Sequence, residues 1–189
     1  MTNSRDWSAL RLKDRIAPEL RVLFVGINPG VRSAQTGHHF AGFSNRFWKL
    51  LHESGLVPEP VTFEDDDRLT DWGYGITNLI ARPTPGIDDL RPAEYVTGWK
   101  VLDRKIRRVR PGIVALVGVT VYRAIRPLLA GAAMVPRQHP IDLGPQPETI
   151  HGSRIFVVPN PSGRNANFSY QEMLEAFSAL ARASRGKGL

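Results

Sequence analysis

The chain has 189 residues, a length that suits a single domain with a large apolar core. It contains no cysteine, which excludes disulfides, iron–sulfur clusters and cysteine-bound zinc. Its net charge of +7 favours a polyanionic partner, although such an excess also serves solubility. No apolar run approaches the roughly 20 residues of a membrane helix. We therefore expect a cytoplasmic protein that makes no membrane contact.

The predicted elements alternate between strands and helices along the chain. Apolar, β-branched runs predict four strands, at 21–27, 74–80, 112–118 and 154–158. Apolar periodicity and capping residues predict helices at 44–55, 92–110, 120–129 and from Ser169 onward. Small polar residues and glycine predict a loop at 31–44, and the Pro- and Gly-rich residues 131–153 predict no defined element.

This alternation is typical of an α/β fold with a parallel sheet and helices on both faces. We expect one domain over residues 1–189, with a lead-in at 1–20 and a tail at 184–189.

Two turns with the same chemistry follow the first and fourth predicted strands. Asn28-Pro29-Gly30 follows the first, and Asn160-Pro161-Ser162-Gly163 follows the fourth. In open α/β sheets, ligands bind at the carboxyl ends of the strands. The two turns therefore predict two walls of one site. The loops at this edge carry no Walker motif, no dinucleotide-binding motif and no useful Ser–His–Asp set.

Other conspicuous residues have both functional and structural interpretations. Phe40 lies in a polar loop, where it can stack on a flat base or plug the loop onto the core. His38 and His39 lack a clearly spaced third ligand for zinc, and loop histidines are more often solvated or hydrogen-bonded. The acidic residues 64–67 suit the first turn of a helix better than a metal site. The basic run 104–110 suits a helix C-terminus better than DNA contact.

Several ordered blocks of the chain resemble one family of proteins. The blocks are Gly26-Ile27-Asn28-Pro29-Gly30, Gly37-His38-His39-Phe40, Asn45-Arg46-Phe47-Trp48-Lys49, Ile76-Thr77-Asn78-Leu79, Arg82-Pro83-Thr84 and Pro159-Asn160-Pro161-Ser162-Gly163. They closely resemble the mismatch-specific uracil-DNA glycosylase and thymine-DNA glycosylase family. The match spans about residues 20–180, and its first block is long and specific.

The resemblance implies a three-layer α/β/α sandwich around a four-stranded parallel sheet. It also implies hydrolysis of the N-glycosidic bond of uracil, chiefly opposite guanine, in double-stranded DNA. Asn28 matches the catalytic residue that positions the attacking water, and Phe40 matches the ring that stacks on the flipped base. The other matching positions are base contacts at Ile27, Gly30, Ser33, Asn78 and Asn160, and DNA contacts at Pro161, Ser162, Gly163 and Arg164.

The chain departs from the family pattern at three positions. Arg164 stands where bacterial members often have an apolar wedge, although an arginine can also fill the space left by a flipped base. Ala166 stands where a basic residue contacts guanine, which admits a broader choice of opposite base. Asn78 stands in place of a frequent lysine.

The chemistry of an amide limits what Asn28 can do. Asparagine does not titrate near neutral pH, so Asn28 can orient a water but cannot take its proton. Asp88 or Asp89 follows the second strand at the same edge, where either can act as a general base or cap a helix. Backbone donors near Ile27 and Gly30 would stabilise the departing pyrimidine anion.

The expected protein is thus a monomer without metal or cofactor, whose partner is duplex DNA with uracil–guanine or related mismatches. Two alternatives stay open: a DNA-binding module that has lost catalysis, and a small-molecule enzyme such as a nucleoside hydrolase.

Overall fold

One mixed sheet forms the centre of the computed structural model, which describes residues 7–129 and 141–186. The strands are β1 (Val22–Gly26), β2 (Tyr74–Asn78), β3 (Ile113–Val117), β4 (Gly144–Ile150) and β5 (Ser153–Val158). Their order across the sheet is β2-β1-β3-β5-β4, and only β4 runs antiparallel to its neighbour. The α/β class and the predicted strands are confirmed. The prediction of four parallel strands is wrong, because a fifth strand completes a mixed sheet.

The additional strand β4 lies within residues 131–153, which predicted no defined element. It carries Pro145 and Pro147, residues that cannot donate to a strand ladder and are tolerated at a sheet edge. The turn into β5 uses His151 and Gly152, both with positive φ angles (50° and 85°), as a tight hairpin requires. Residues 130–140 lie outside the described part of the chain.

Helices cover both faces of the sheet. They are α1 (Val31–Thr36), α2 (Phe47–Glu53), α3 (Pro92–Val109), α4 (Val119–Ile125) and α5 (Tyr170–Arg185), with 3-10 turns at Trp7–Ala9, Phe63–Trp72, Ile87–Asp89 and Arg126–Leu128. The four predicted helices are present. The prediction of a loop throughout 31–44 is wrong, because α1 occupies its first part and ends at Gly37 in the left-handed conformation. Helix α5 continues through Arg185, into the predicted tail.

The three-layer sandwich follows from alternation along the strands, where successive side chains face opposite sides. In β1, Val22 and Phe24 pack in the core that contains α2 and α5. Leu23 and Val25 pack in the other core, with α3 and α4. Within the described residues, no helix is both long and apolar enough to span a membrane.

The acidic and basic runs have the structural roles that their sequences indicated. Residues 64–67 fall in the first part of the 3-10 helix Phe63–Trp72, where the Thr62 side chain accepts a hydrogen bond from the main chain of Glu64. The basic residues 104–110 end α3, which leads into the amino end of β3. The main chain of this run therefore approaches the edge opposite the carboxyl ends of the parallel strands, while the Lys105 side chain reaches back to donate to Thr77 Oγ1 of β2 at 3.0 Å.

Candidate active site

The first wall of the site is the turn after β1, and its central side chain is Asn28. The Asn28 Nδ2 donates to the main-chain oxygen of Arg82 at 3.0 Å and to Thr84 Oγ1 at 2.8 Å. It also lies 3.3 Å from the oxygen of Pro29. Carbonyl oxygens only accept hydrogen bonds, and the Thr84 hydroxyl donates its own hydrogen to the oxygen of Gly86 at 2.6 Å. These partners fix which end of the Asn28 amide is the nitrogen.

The other end of the amide is available to a ligand. Among the described residues, Asn28 Oδ1 accepts no hydrogen bond, and no buried side-chain polar atom lacks a partner. Oδ1 therefore reaches solvent, where it can accept one hydrogen of a water molecule. Thr84 lies in the Arg82-Pro83-Thr84 block that resembles the family, but no role was predicted for it. The structure places it 2% exposed.

The loop after β2 is held against this turn by an extension of the strand ladder. The N–H groups of Leu79 and Ile80 donate to the oxygens of Gly26 and Ile27, both at 2.8 Å. Farther along, the N–H of Thr84 donates to the oxygen of Pro29 at 3.1 Å. The acceptors of the Asn28 amide are thus placed mainly by backbone pairing.

An ion pair anchors the same loop to the start of α3. The Arg82 guanidinium donates to both carboxylate oxygens of Glu94, at 2.7 and 2.8 Å. These hydrogen bonds lower the pKa of Glu94 to about 2, with help from the main-chain N–H of Arg91. Arg82 also donates to the main-chain oxygen of Asp89 at 2.8 Å. The carbonyl of Arg82, which orients Asn28, is therefore fixed on both sides.

Phe40 and Asn78 converge over Gly26, beside the Asn28 turn. A Cβ on Gly26 would lie 2.6 Å from Asn78 Oδ1 and 3.7 Å from Phe40 Cζ, so a side chain at residue 26 would displace the Asn78 amide. The Phe40 ring stacks on Phe47 with centroids 4.1 Å apart. Phe40 has a φ of 52°, an uncommon conformation for a residue other than glycine. The Asn78 amide makes no hydrogen bond to any described residue, so its donor and acceptor are available.

A buried carboxylate supports the loop that carries Phe40. Asp66 is fully buried and accepts hydrogen bonds from Arg15 Nε and from the N–H of His39, both at 2.9 Å. His38 Nδ1 lies 3.1 Å from the same carboxylate, and His39 Nε2 donates to the oxygen of Lys13 at 3.0 Å. Burial lowers the pKa of His39, so it is neutral at pH 7. The hydrogen-bonded interpretation of the histidines is confirmed; the burial of Asp66 was not predicted.

The second wall is the turn after β5. Asn160 Oδ1 accepts a hydrogen bond from the N–H of Ser162 at 3.0 Å, which shapes the turn. Asn160 packs beside Gly118 at the end of β3, where an added Cβ would lie 3.4 Å from Asn160 Cβ. Asn160, Gly163 and Arg164 are exposed. These three residues therefore form a surface at the same edge as Asn28.

The loop after Phe40 joins the two walls. The N–H of Arg46 donates to the oxygen of Pro161 at 3.0 Å. Gly163 lies so close to Ser44 that an added Cβ would collide with the side chain and the main chain of Ser44. Glycine is therefore required at residue 163 for this contact.

Three predicted residues do not contact this group through their side chains. Ser33 is 6% exposed, and its hydroxyl accepts a hydrogen bond from the N–H of Ala41 at 3.1 Å, beneath the Phe40 loop. Asp88 and Asp89 are exposed on the turn Ile87–Asp89. In the described residues, neither carboxylate is hydrogen-bonded to Asn28, and the general-base role stays a prediction. No set of three or more His, Asp or Glu side chains in that part of the chain is arranged to hold a metal.

These features define an α/β/α sandwich whose candidate site lies at one edge of the sheet, around a fixed neutral amide. The family model described as the Uracil DNA glycosylase superfamily matches residues 14–181. The chain belongs to this superfamily. Membership supports DNA glycosylase activity in general, with DNA as the substrate.

A solved structure has the same fold. It is a solution NMR structure of a protein from Methanosarcina acetivorans, described as a "putative Uracil DNA glycosylase". The TM-score is 0.64 at 17% sequence identity, over 94% of this chain and 98% of the other. At this level of identity the similarity shows the fold alone.

Proposed function

We propose that the protein excises uracil, chiefly from uracil–guanine mismatches in duplex DNA, and leaves an abasic site. The observation that carries this proposal is the orientation of the Asn28 amide. Its nitrogen is held by Arg82 and Thr84, and its oxygen is left for a water. The water oxygen attacks C1′ of the deoxyribose, the C1′–N1 bond breaks, and uracil leaves with the bonding electrons. The proton lost by the water goes to solvent or to a nearby carboxylate.

Backbone N–H groups beside Asn28 can stabilise the departing uracil anion. Ile27 and Gly30 donate no hydrogen bond through their N–H groups to any described residue. Fixed donors of this kind are strongest where charge develops in a transition state. Because Asn28 is not a base, we expect slow turnover unless Asp88 or Asp89 takes the proton.

Phe40 and Asn78 are the proposed contacts to the flipped base. One face of the Phe40 ring covers Phe47, and the opposite face can stack on a flipped base. The Asn78 amide offers a donor and an acceptor side by side. Uracil presents the complementary pair, an N3–H donor and a carbonyl acceptor, whereas cytosine presents an N3 acceptor and an amino donor. The Asn78 amide can therefore pair with this edge of uracil. Because no described residue holds the amide in one orientation, a 180° turn would pair it with cytosine, so Asn78 alone does not choose between the two bases.

The second wall is the proposed contact with the DNA strands. Pro161 is buried beneath this surface, and Ser162 and Gly163 lead to the exposed Arg164, which can enter the space vacated by the flipped base. Ala166 is exposed on the same segment and offers no hydrogen bond to an opposite guanine. We therefore propose that the protein prefers guanine opposite uracil but also accepts other opposite bases.

The decisive experiment follows strand cleavage by alkali at a single uracil, after incubation of the duplex with the protein. The wild-type protein should release uracil from a uracil–guanine pair, also in the presence of a chelator. Asn28→Ala should lower the single-turnover rate by about 10²–10³-fold, with little change in Kd. Gln35→Ala is the matched control, because it removes an exposed amide from neighbouring α1.

Other outcomes would favour the alternative functions. Tight, salt-dependent DNA binding without uracil release would indicate a binding module that lacks turnover. The observation that favours this alternative is that, among the described residues, no carboxylate is hydrogen-bonded to Asn28. Cleavage of free nucleosides without salt-dependent DNA binding would indicate a small-molecule hydrolase. If Asp88→Ala or Asp89→Ala abolishes release while Asn28→Ala does not, the carboxylate is the main catalytic group.

A further inference from the structure

One aromatic side chain near the site is almost fully exposed. Phe43 is 91% exposed, whereas Val96, the next most exposed large apolar residue in the described part of the chain, is 45% exposed. Single exposed apolar residues are common on protein surfaces and need no partner. Phe43 differs from such residues because another side chain holds its ring in place.

Arg32 forms this support. Its guanidinium carbon lies 3.7 Å from the centre of the Phe43 ring, a close cation–π contact. Arg32 Nε donates to the main-chain oxygen of Ala41 at 2.7 Å, which fixes the guanidinium. One face of the ring is thus occupied and the opposite face is free. The Nη groups of Arg32 make no hydrogen bond to any described residue, so they can bind a phosphate.

Phe43 belongs to the loop that joins the two walls of the site. Its neighbour Ser44 is in close contact with Gly163, which precedes Arg164. The ring also borders a cleft of about 450 Å³ that includes Phe40 in its lining. Phe43 therefore borders the cleft that Phe40 lines, and its neighbour Ser44 contacts the segment that carries Arg164.

We propose that Phe43 is a second side chain that enters the DNA, stacking by its free face on a base that borders the flipped nucleotide. Arg32 would pair with an adjacent phosphate. The proposal rests on the proposed function, since its ligand is duplex DNA with an extruded nucleotide. Flipping exposes the face of a neighbouring base, and an aromatic ring that stacks on this face offsets part of the cost. An aromatic ring stacks on any base, so this contact carries no sequence preference.

The test uses a duplex with 2′-fluoro-2′-deoxyuridine, a nucleotide that resists glycosidic cleavage, opposite guanine and next to 2-aminopurine. Phe43→Ala should raise Kd about tenfold, as expected for loss of one base–aromatic contact. It should also leave 2-aminopurine brighter than the wild-type protein does, because the base beside the gap stays unstacked. Phe43→Trp should retain wild-type Kd and quenching, and Phe43→Leu should resemble Phe43→Ala. Val101→Ala, an exposed apolar change on α3, is the control.

Two results would overturn the inference: unchanged Kd and fluorescence for Phe43→Ala, or wild-type behaviour of Phe43→Leu, which would exclude stacking. Neither measurement needs turnover, so the two proposals fail separately. If the wild-type protein releases uracil and Phe43→Ala matches it throughout, only the inference fails. If the wild-type protein releases none, yet Phe43→Ala weakens binding, only the proposed reaction fails.

Discussion

Thr84→Val tests whether the orientation of the Asn28 amide controls catalysis. Valine has nearly the same shape, so the substitution removes the hydroxyl, together with its hydrogen bond to the oxygen of Gly86, from a site that is 2% exposed. The Asn28 Nδ2 loses its shortest hydrogen bond, at 2.8 Å, but keeps the oxygen of Arg82 at 3.0 Å and that of Pro29 at 3.3 Å. The amide should therefore stay in place and rotate more freely.

The expected loss is moderate. One hydrogen bond of this kind contributes about 0.5–1.5 kcal/mol, which corresponds to a rate factor of roughly 2 to 13. We expect the single-turnover rate of uracil release to fall about fivefold to tenfold, far less than for Asn28→Ala. Thr84→Ser keeps the hydroxyl and should retain most of the rate. If Thr84→Val releases uracil at the wild-type rate, the hydroxyl does not orient the amide, and the reasoning from these contacts is refuted.

Three further predictions follow from other parts of the site. Gly26→Ala should displace the Asn78 amide and reduce uracil release, whereas Gly86→Ala, which has room for a Cβ at the same edge, should not; equal rates would contradict the assigned base pocket. Burial lowers the pKa of His39 when the chain folds. Below pH 6.5 the unfolded chain therefore binds a proton that the folded chain does not. The free energy of unfolding should then decrease by up to about 1.4 kcal/mol for each pH unit that the pH falls. Urea unfolding between pH 8 and pH 5 should show a smaller decline for His39→Gln, and an unchanged decline would contradict this origin. Arg164→Ala should slow excision from duplex more than from single-stranded DNA, and recovery by Arg164→Leu would support wedging over phosphate contact; equal losses on both substrates would indicate a backbone contact only.

The strands at the centre of the sheet could be predicted because they are apolar on both faces. β1 and β3 are buried at every position, which leaves a continuous apolar run in the sequence. The edge strand β4 gave no such signal, since only its ends are buried and it contains Pro145 and Pro147. Helix α1 was missed for a similar reason: it has six residues and no apolar stripe, and two flanking glycines set its limits.

In the candidate site, too, only some features could be predicted from the sequence. The Asn28 turn could be predicted because the signal is local, an apolar run followed by Asn-Pro-Gly. The contact between Asn28 and Thr84 joins residues 56 positions apart, and that between Asp66 and His39 joins residues 27 positions apart. Such contacts depend on which strands pair and in what register, information that no single segment contains. Sequence reasoning could therefore place the catalytic candidate but not the groups that orient it.

The hydrogen-bond partners of Asn28 are fixed mainly by the fold, whereas other parts of the site depend on individual side chains. Two of its three acceptors are main-chain oxygens, and the β1–β2 ladder places them next to the amide. Replacing side chains alters these acceptors little as long as the strands pair, so the fold itself sets the orientation of the Asn28 amide. Asn78, Arg164 and Phe43, by contrast, face the proposed base and DNA through their side chains alone. Changes in the excised base or in the opposite base should therefore arise at these positions, while the geometry around Asn28 stays constant.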